Sequence, residues 1–190
     1  MLIVISAPSG TGKTTICKGL LFSIPTLKFS VSYTTRKPRS GEVEKGEYKF
    51  ITRDKFQKMI ENDMFIEWVQ LFGDYYGTAK KTLEDAKNGN YDLLLDIDVV
   101  GGRKIKELFP DALLIFLTPP SIEELKKRLI LRKTENKEAL DKRLAKAKEE
   151  NKQAKYYDYI VVNDKQEKAI EEIKNIILKK KGVLDIRNVV

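Results

Sequence analysis

Apolar residues fall into two alternating patterns along this chain: short unbroken runs, and stretches with apolar positions every three or four residues. Unbroken runs bounded by turn residues read as buried strands, and the wider spacing reads as helices with one face on a core. Leu2–Ser6 is the first such run and predicts a strand, followed by a helix over about 14–21 and a strand near 28–33. Residues 34–49 are polar and basic, contain Pro38, Gly41 and Gly46, and predict loops with short irregular strands. Phe56, Met59 and Ile60 place a helix at 54–62. Strand Phe65–Leu71, an extended piece at 75–78 and a helix at 80–87 ended by Gly89 follow. Phe65 and Trp68 read as core residues. Leu93, Leu94 and Leu95 lie in a strand at 91–97 whose two faces are both covered. A helix at 99–109 and a strand at 112–117 continue the alternation, and Ser121 with Glu124 forms a capping box for the next helix. A charged helical region runs to about residue 157, then strand Tyr159–Val162 and a helix from Lys165 with Asp164 as its N-cap. Residues 181–190 read as a tail. Strands alternating with helices predict an α/β fold, a parallel sheet with helices on both faces.

The turn after the first strand reads Ala7-Pro8-Ser9-Gly10-Thr11-Gly12-Lys13-Thr14, followed by Thr15. This is a phosphate-binding loop. Backbone N–H groups of such a turn, with the positive end of the following helix, make a pocket for phosphate oxygens. Gly10 and Gly12 supply backbone angles that a Cβ forbids. Lys13 brings an ammonium to the β/γ-phosphates, and the Thr14 hydroxyl suits Mg²⁺. Ala7 stands where the motif has its first glycine, and it fits if its φ is negative. A phosphate-loop NTPase-type sheet and ATP as a bound nucleotide are therefore expected.

A length of 190 residues suits one α/β unit with insertions, and 42% apolar with 34% charged residues suits a soluble globular chain. No apolar run nears the ~20 residues of a membrane span, and the first apolar stretch, stopping at Pro8, reads as a strand rather than a leader. Cys17 is the single cysteine, so no internal disulfide forms, its expected role is packing, and a cytoplasmic location fits. The net charge of +8 raises the question of nucleic acid. Residues 123–155 carry twelve Lys/Arg against seven Asp/Glu, supplying most of that excess. Those charges interleave along apparent helices, which argues for a solvated or phosphate-facing helix pair over a basic arm.

Tyr91-Asp92-Leu93-Leu94-Leu95-Asp96 is an apolar strand ending in a carboxylate, the position from which phosphate-loop enzymes hold the Mg²⁺ shell. Asp96 joins Thr14 as a metal candidate. The middle of the chain carries a further set: Ser30-Val31-Ser32-Tyr33-Thr34-Thr35-Arg36-Lys37-Pro38-Arg39, Glu47-Tyr48-Lys49-Phe50, Phe65-Ile66-Glu67-Trp68, Tyr75-Tyr76-Gly77-Thr78 and Leu95-Asp96-Ile97-Asp98. With the phosphate loop and Asn163-Asp164, this series resembles the guanylate kinase family, which phosphorylates GMP with ATP.

The resemblance implies a phosphate-loop core over 1–31 and 96–190, a GMP-binding insert over 32–95 and a helical lid over about 124–153. It implies that Glu67 and Asp98 face the donor edge of guanine, with hydroxyls of Ser32 and Thr78. Arg36 and Arg39 match the clamp on the GMP phosphate, joined by Tyr48 and Tyr76; arginine forks bind phosphate bidentately. Arg128, Arg132 and Arg143 match the lid and catalytic arginines, and Asn163 matches a position near adenine. The chain departs from the family at Leu131-Arg132-Lys133, where glycine usually adjoins the arginine, and at Val100, where a polar residue is common. Two other readings compete: a peptide-binding scaffold module, against which the intact Lys13, Thr14 and Asp96 argue, and a kinase for another nucleotide. Carboxylates at Glu67 and Asp98 argue against AMP, whose adenine N1 is an acceptor.

Overall fold

A computed structural model of the chain describes residues 1–38, 46, 48–71, 73–131 and 137–183. Strands β1 (Leu2–Ser6), β2 (Leu27–Phe29), β7 (Asp92–Asp96), β8 (Leu113–Thr118) and β9 (Tyr159–Val162) form one parallel sheet in the order β2-β7-β1-β8-β9. The chain order of these strands differs from their spatial order, so each parallel neighbour is reached by a crossover. Helices α1 (Lys13–Ser23) and α7 (Gln166–Lys180) cover one face, where Ile3, Ile5, Leu94 and Ile115 meet Ile16, Leu20, Ile173 and Ile177. Helices α3 (Lys80–Asn88) and α4 (Val99–Leu108) cover the other, where Val4, Leu93, Leu95, Leu114 and Phe116 meet Ala86 and Ile105. The run Leu93-Leu94-Leu95 thus splits between two cores, Leu94 into one and its neighbours into the other. Each such leucine contributes roughly 1.5–3 kcal/mol by burial, which is why no polar residue interrupts the run.

A second sheet, in the order β4-β3-β6-β5, holds β3 (Ser32–Thr34), β4 (Tyr48–Phe50), β5 (Phe65–Leu71) and β6 (Asp74–Ala79). Helix α2 (Arg53–Glu61) packs on it through Phe56, whose ring stacks on Phe65 at 4.5 Å and on Tyr75 at 5.3 Å. Thr52 caps α2 by accepting from the Lys55 N–H. Helices α5 (Ile122–Leu131) and α6 (Lys137–Lys152) meet through Leu125, Leu129 and Ala147 beside the phosphate loop.

Several expectations change. The stretch 28–33 is two strands in different sheets: the Ser30 N–H donates the last bond to Leu94 O, and the chain then leaves for the second sheet at Ser32. Asp92–Asp96 pairs with both β1 and β2, so a break at 95/96 cuts a core strand. Trp68 is 41% exposed, because β5 is an edge strand with an irregular register between Phe65 and Glu67 that buries Phe65, Ile66 and Glu67 together. Asp164 does not cap α7; the cap position is Lys165, still extended and without a side-chain bond. Half of the capping box forms, Ser121 Oγ accepting from the Glu124 N–H, while the Glu124 carboxylate pairs with Arg128. Gly89 ends α3, but the left-handed residue is the following Asn90.

Candidate active site

Parallel strands end together, and β1 and β7 bring the phosphate loop and Asp96 to the same edge of the sheet. Gly10 and Gly12 have φ of 95° and 98°, the left-handed region that the turn requires. The described non-glycines with positive φ are Asp63 and Asn90, so Ala7 meets the condition for replacing glycine. Space is as tight as the backbone: a Cβ on Gly12 would lie 2.7 Å from Asn163 Nδ2. That amide donates to Thr11 O at 2.7 Å and so fastens the loop to the end of β9. The first turn of α1 holds no acidic residue, which leaves its positive end available to anions.

Lys13 pairs with Asp96 and also donates to Ile97 O at 3.1 Å. Burial alone would lower the Lys13 pKa, but the adjoining Asp96 carboxylate outweighs it and raises the value, so the ammonium stays charged. Ala7, Pro8, Ser9, Gly10, Gly12, Lys13, Thr14 and Thr15 line a cleft with Asp96, Asp98, Tyr48 and Arg143. Arg143 of α6 reaches Ser9 Oγ from across this cleft at 3.3 Å. Arg128 of α5 instead donates to Glu124 Oε1 at 3.2 Å and to Asn163 O at 3.0 Å.

An adjoining cavity is lined by Lys13, Ser32, Tyr48, Glu67, Tyr76, Asp96 and Asp98. Glu67 is buried and accepts from the Thr78 hydroxyl at 2.6 Å. Burial pushes its pKa up to about 7, with the Asp98 charge adding to the rise and the Thr78 bond opposing it. Asp98 caps α4, Oδ1 accepting from the Gly101 N–H at 2.9 Å, while its buried Oδ2 has no protein partner among the described residues. The buried carboxylate of Glu67 and the partly buried one of Asp98 therefore present acceptor oxygens to one cavity, a set suited to a ligand edge carrying N–H groups. Burial also pushes the Tyr48 hydroxyl up to about 12, keeping it a neutral donor.

Not every expected residue lines these cavities. Thr78 is fully buried behind Glu67, and Asn163 sits beneath the loop. Arg36 donates to Lys37 O at 2.8 Å, and its guanidinium stands 5.4 Å from the ring centres of both Tyr48 and Phe50. Arg39 and Arg132 lie outside the described residues. Sequence reasoning missed Lys146 and Glu150, which also line the phosphate cleft. Their signal was available: they follow Arg143 by three and seven positions on the same face of α6.

Among the described residues no group of three or more His, Cys, Asp or Glu gathers to hold a metal. Thr14 and Asp96 offer two oxygen donors on one cleft, the sparse protein share that Mg²⁺ takes when phosphates and waters complete its shell. Among the described residues no helix is long and apolar enough to cross a membrane.

Known proteins are similar to this chain over most of its length. The family model described as Guanylate kinase matches residues 1–180. The guanylate kinase of Caldanaerobacter subterraneus subsp. tengcongensis is 46% identical over 97% of this chain and 90% of its own length. That of Geobacter sulfurreducens is 43% identical over 94% of this chain and 88% of its own. Among solved structures, a guanylate kinase from Anaplasma phagocytophilum superposes with a TM-score of 0.77 at 30% identity, covering 97% of this chain and 96% of that one.

Proposed function

This chain belongs to the guanylate kinase family, and we propose that its two adjoining cavities hold ATP and GMP for direct phosphoryl transfer between them. The activity is that of a nucleoside monophosphate kinase: ATP and GMP give ADP and GDP. One observation carries the mechanistic reading. Lys13, Tyr48, Leu71, Asp96 and Asp98 line both the phosphate cleft and the cavity of Glu67 and Asp98, so the two adjoin along these side chains.

Glu67 and Asp98 accept from the N1–H and amino group of guanine, with Ser32 and Thr78 fixing the carboxylate side. A site built on such bonds rejects an analogue lacking the donors by about 10⁴–10⁵. Tyr48, Tyr76, Arg36 and Arg39 receive the GMP phosphate. Arg36 lies on aromatic rings at the cavity rim and has to swing inward for this role. The loop from Ala7 to Thr15 cradles the ATP phosphates, and Asn163 holds that cradle on the adenine side. Phosphoryl transfer asks little covalent chemistry of the protein; it asks for in-line positioning and neutralised oxygens. The acceptor is an ionised phosphate oxygen, so a chain without histidine needs no strong base.

Lys13 exchanges its Asp96 partner for phosphate oxygens as ATP enters, which releases the Asp96 carboxylate. Thr14 and Asp96 would hold Mg²⁺, which supplies charge neutralisation on the β- and γ-phosphates when bound. Arg128, Arg132 and Arg143 bring positive charge over the transferring group as the segment 124–153 closes as a lid. The second sheet serves as the GMP-binding insert on the phosphate-loop core. The enzyme belongs to purine nucleotide metabolism, and the buried thiol of Cys17 is consistent with a reducing cytoplasm.

A coupled ADP-release assay with ATP·Mg²⁺ tests the reading against GMP, AMP, UMP, CMP and dTMP. Turnover with GMP alone is expected. Equal turnover with AMP would overturn the guanine assignment, and nucleotide binding without turnover would favour the scaffold role.

A further inference from the structure

Lys146 and Glu150 form an ion pair at 3.7 Å on the face of α6 that carries Arg143. Both side chains line the cleft of the phosphate loop, and neither has a part in the reaction as described so far. Glu150 is 8% exposed, an unusual position for a carboxylate on a helix rich in charged residues. Burial pushes its carboxyl up, the nearby Asp98 charge adds to the rise, and the Lys146 and Lys13 ammonium groups oppose it. The cleft wall therefore sets three cations, Lys13, Arg143 and Lys146, against three carboxylates, Asp96, Asp98 and Glu150. Such a wall is near neutrality by itself and has to reorganise when a triphosphate adds several negative charges.

Lys13 leaves one of these carboxylates for phosphate, as argued above. Lys146 stands in the same relation to Glu150. An ammonium on a flexible four-carbon stem with three rotatable donors changes partner within one cleft at low cost. We propose that Lys146 is a further catalytic cation of this kinase: Glu150 holds it at the cleft wall, and it passes to the phosphate oxygens between the two nucleotides, beside Arg143, when the cleft fills. Glu150 is then a positioning residue that acts through Lys146. The proposal rests on the kinase reading of the cleft. No bond is made or broken by either residue; the step is an exchange of ionic partners.

The test uses the full chain and compares wild type with Lys146→Gln, Lys146→Arg, Glu150→Gln and the double variant Lys146→Gln/Glu150→Gln. Steady-state kinetics with ATP·Mg²⁺ and GMP are read beside the affinity for a bisubstrate inhibitor, adenosine and guanosine joined by five phosphates. Lys146→Gln is expected to lower kcat by at least about tenfold and weaken the inhibitor similarly, with the GMP KM within about twofold of wild type. Lys146→Arg should recover most of the loss, because it restores the charge, and Glu150→Gln should add less than about twofold to Lys146→Gln. Unchanged kcat and inhibitor affinity in Lys146→Gln would overturn the proposal. So would a Glu150→Gln loss of the same size in both backgrounds, which would give Glu150 a role of its own. Absence of GMP turnover in wild type would defeat the kinase reading instead, so the two failures are distinct.

Discussion

Glu67 Oε2 lies 2.7 Å from where a Cβ on Gly101 would sit. Helix α4 of the core thus presses its first turn against the buried carboxylate of the second sheet, and only a glycine permits that approach. The same turn donates the Gly101 N–H to Asp98 Oδ1, so one glycine adjusts both carboxylates of the cavity. Gly101→Ala must displace Glu67, Asp98 or the helix. The expected result is a GMP KM raised about tenfold, the cost of roughly 1.4 kcal/mol being ordinary for overpacking, with the ATP KM unchanged. Initial-rate kinetics with each substrate varied decide it, and equal changes in both KM values would locate the damage outside the GMP cavity.

Glu67 gives the protein a pH signature. Its pKa rises from 4.5 to about 7 on folding, chiefly through burial. An acid raised in this way favours the folded state most below its unfolded pKa, and that contribution is lost as pH rises through 4.5 to about 7. Thermal melts of the nucleotide-free protein should therefore lose stability over this window, and Glu67→Gln should flatten the slope. Guanine needs the ionised form, so GMP binding below pH 7 should release a proton. Calorimetry in buffers of different ionisation enthalpy measures that release, and its absence would separate Glu67 from the base.

The Lys13–Asp96 pair makes a second kinetic prediction. Lys13→Met removes a cation directed at the transferring phosphates and should cut kcat by about 10²–10³, the usual cost of one preorganised donor. GMP binding, measured by calorimetry, should stay within about threefold, because the guanine contacts do not involve Lys13. Retained turnover would assign the transfer charge elsewhere.

Local spacing made much of this legible in the sequence. The turn from Ala7 to Thr14 and the leucine run ending at Asp96 specify their conformations within a few residues, and β1 and β7 then lie side by side. What failed was non-local. Nothing between Lys28 and Tyr33 tells which sheet each half joins, since alternation is the same in both. Trp68 looked like core because its size outweighed its place on an edge strand, which only the register decides. Lys146 passed as a solvated charge among many on α6. Its importance comes from Arg143 one turn earlier, whose bond to Ser9 turns that helix face onto the cleft.

The far end of the sheet offers a prediction about stability rather than chemistry. Asp92, the first residue of β7, is 7% exposed and accepts from the N-terminal ammonium at 2.9 Å, from Lys181 at 2.6 Å and from Thr26 Oγ1 at 3.3 Å. Burial alone would raise its pKa, but the bonds from Lys181 and the N-terminus outweigh it and hold the carboxyl below 3.8. A carboxylate depressed in this way stabilises the fold above its unfolded pKa and loses that contribution as pH falls through the folded one. This cluster joins β1, β7 and the end of α7, three elements distant in sequence. Asp92→Ala leaves two cations facing a partly buried void and should cost about 2–4 kcal/mol, with a smaller loss for Asp92→Asn, which keeps the shape and one acceptor. Urea unfolding at pH 7 checks both amounts, and a repeat at about pH 3, below the unfolded value of 3.8, checks the linkage. The wild-type advantage over Asp92→Asn should shrink at the lower pH, while kcat at 25 °C stays unchanged because the cluster lies at the sheet end opposite the phosphate loop.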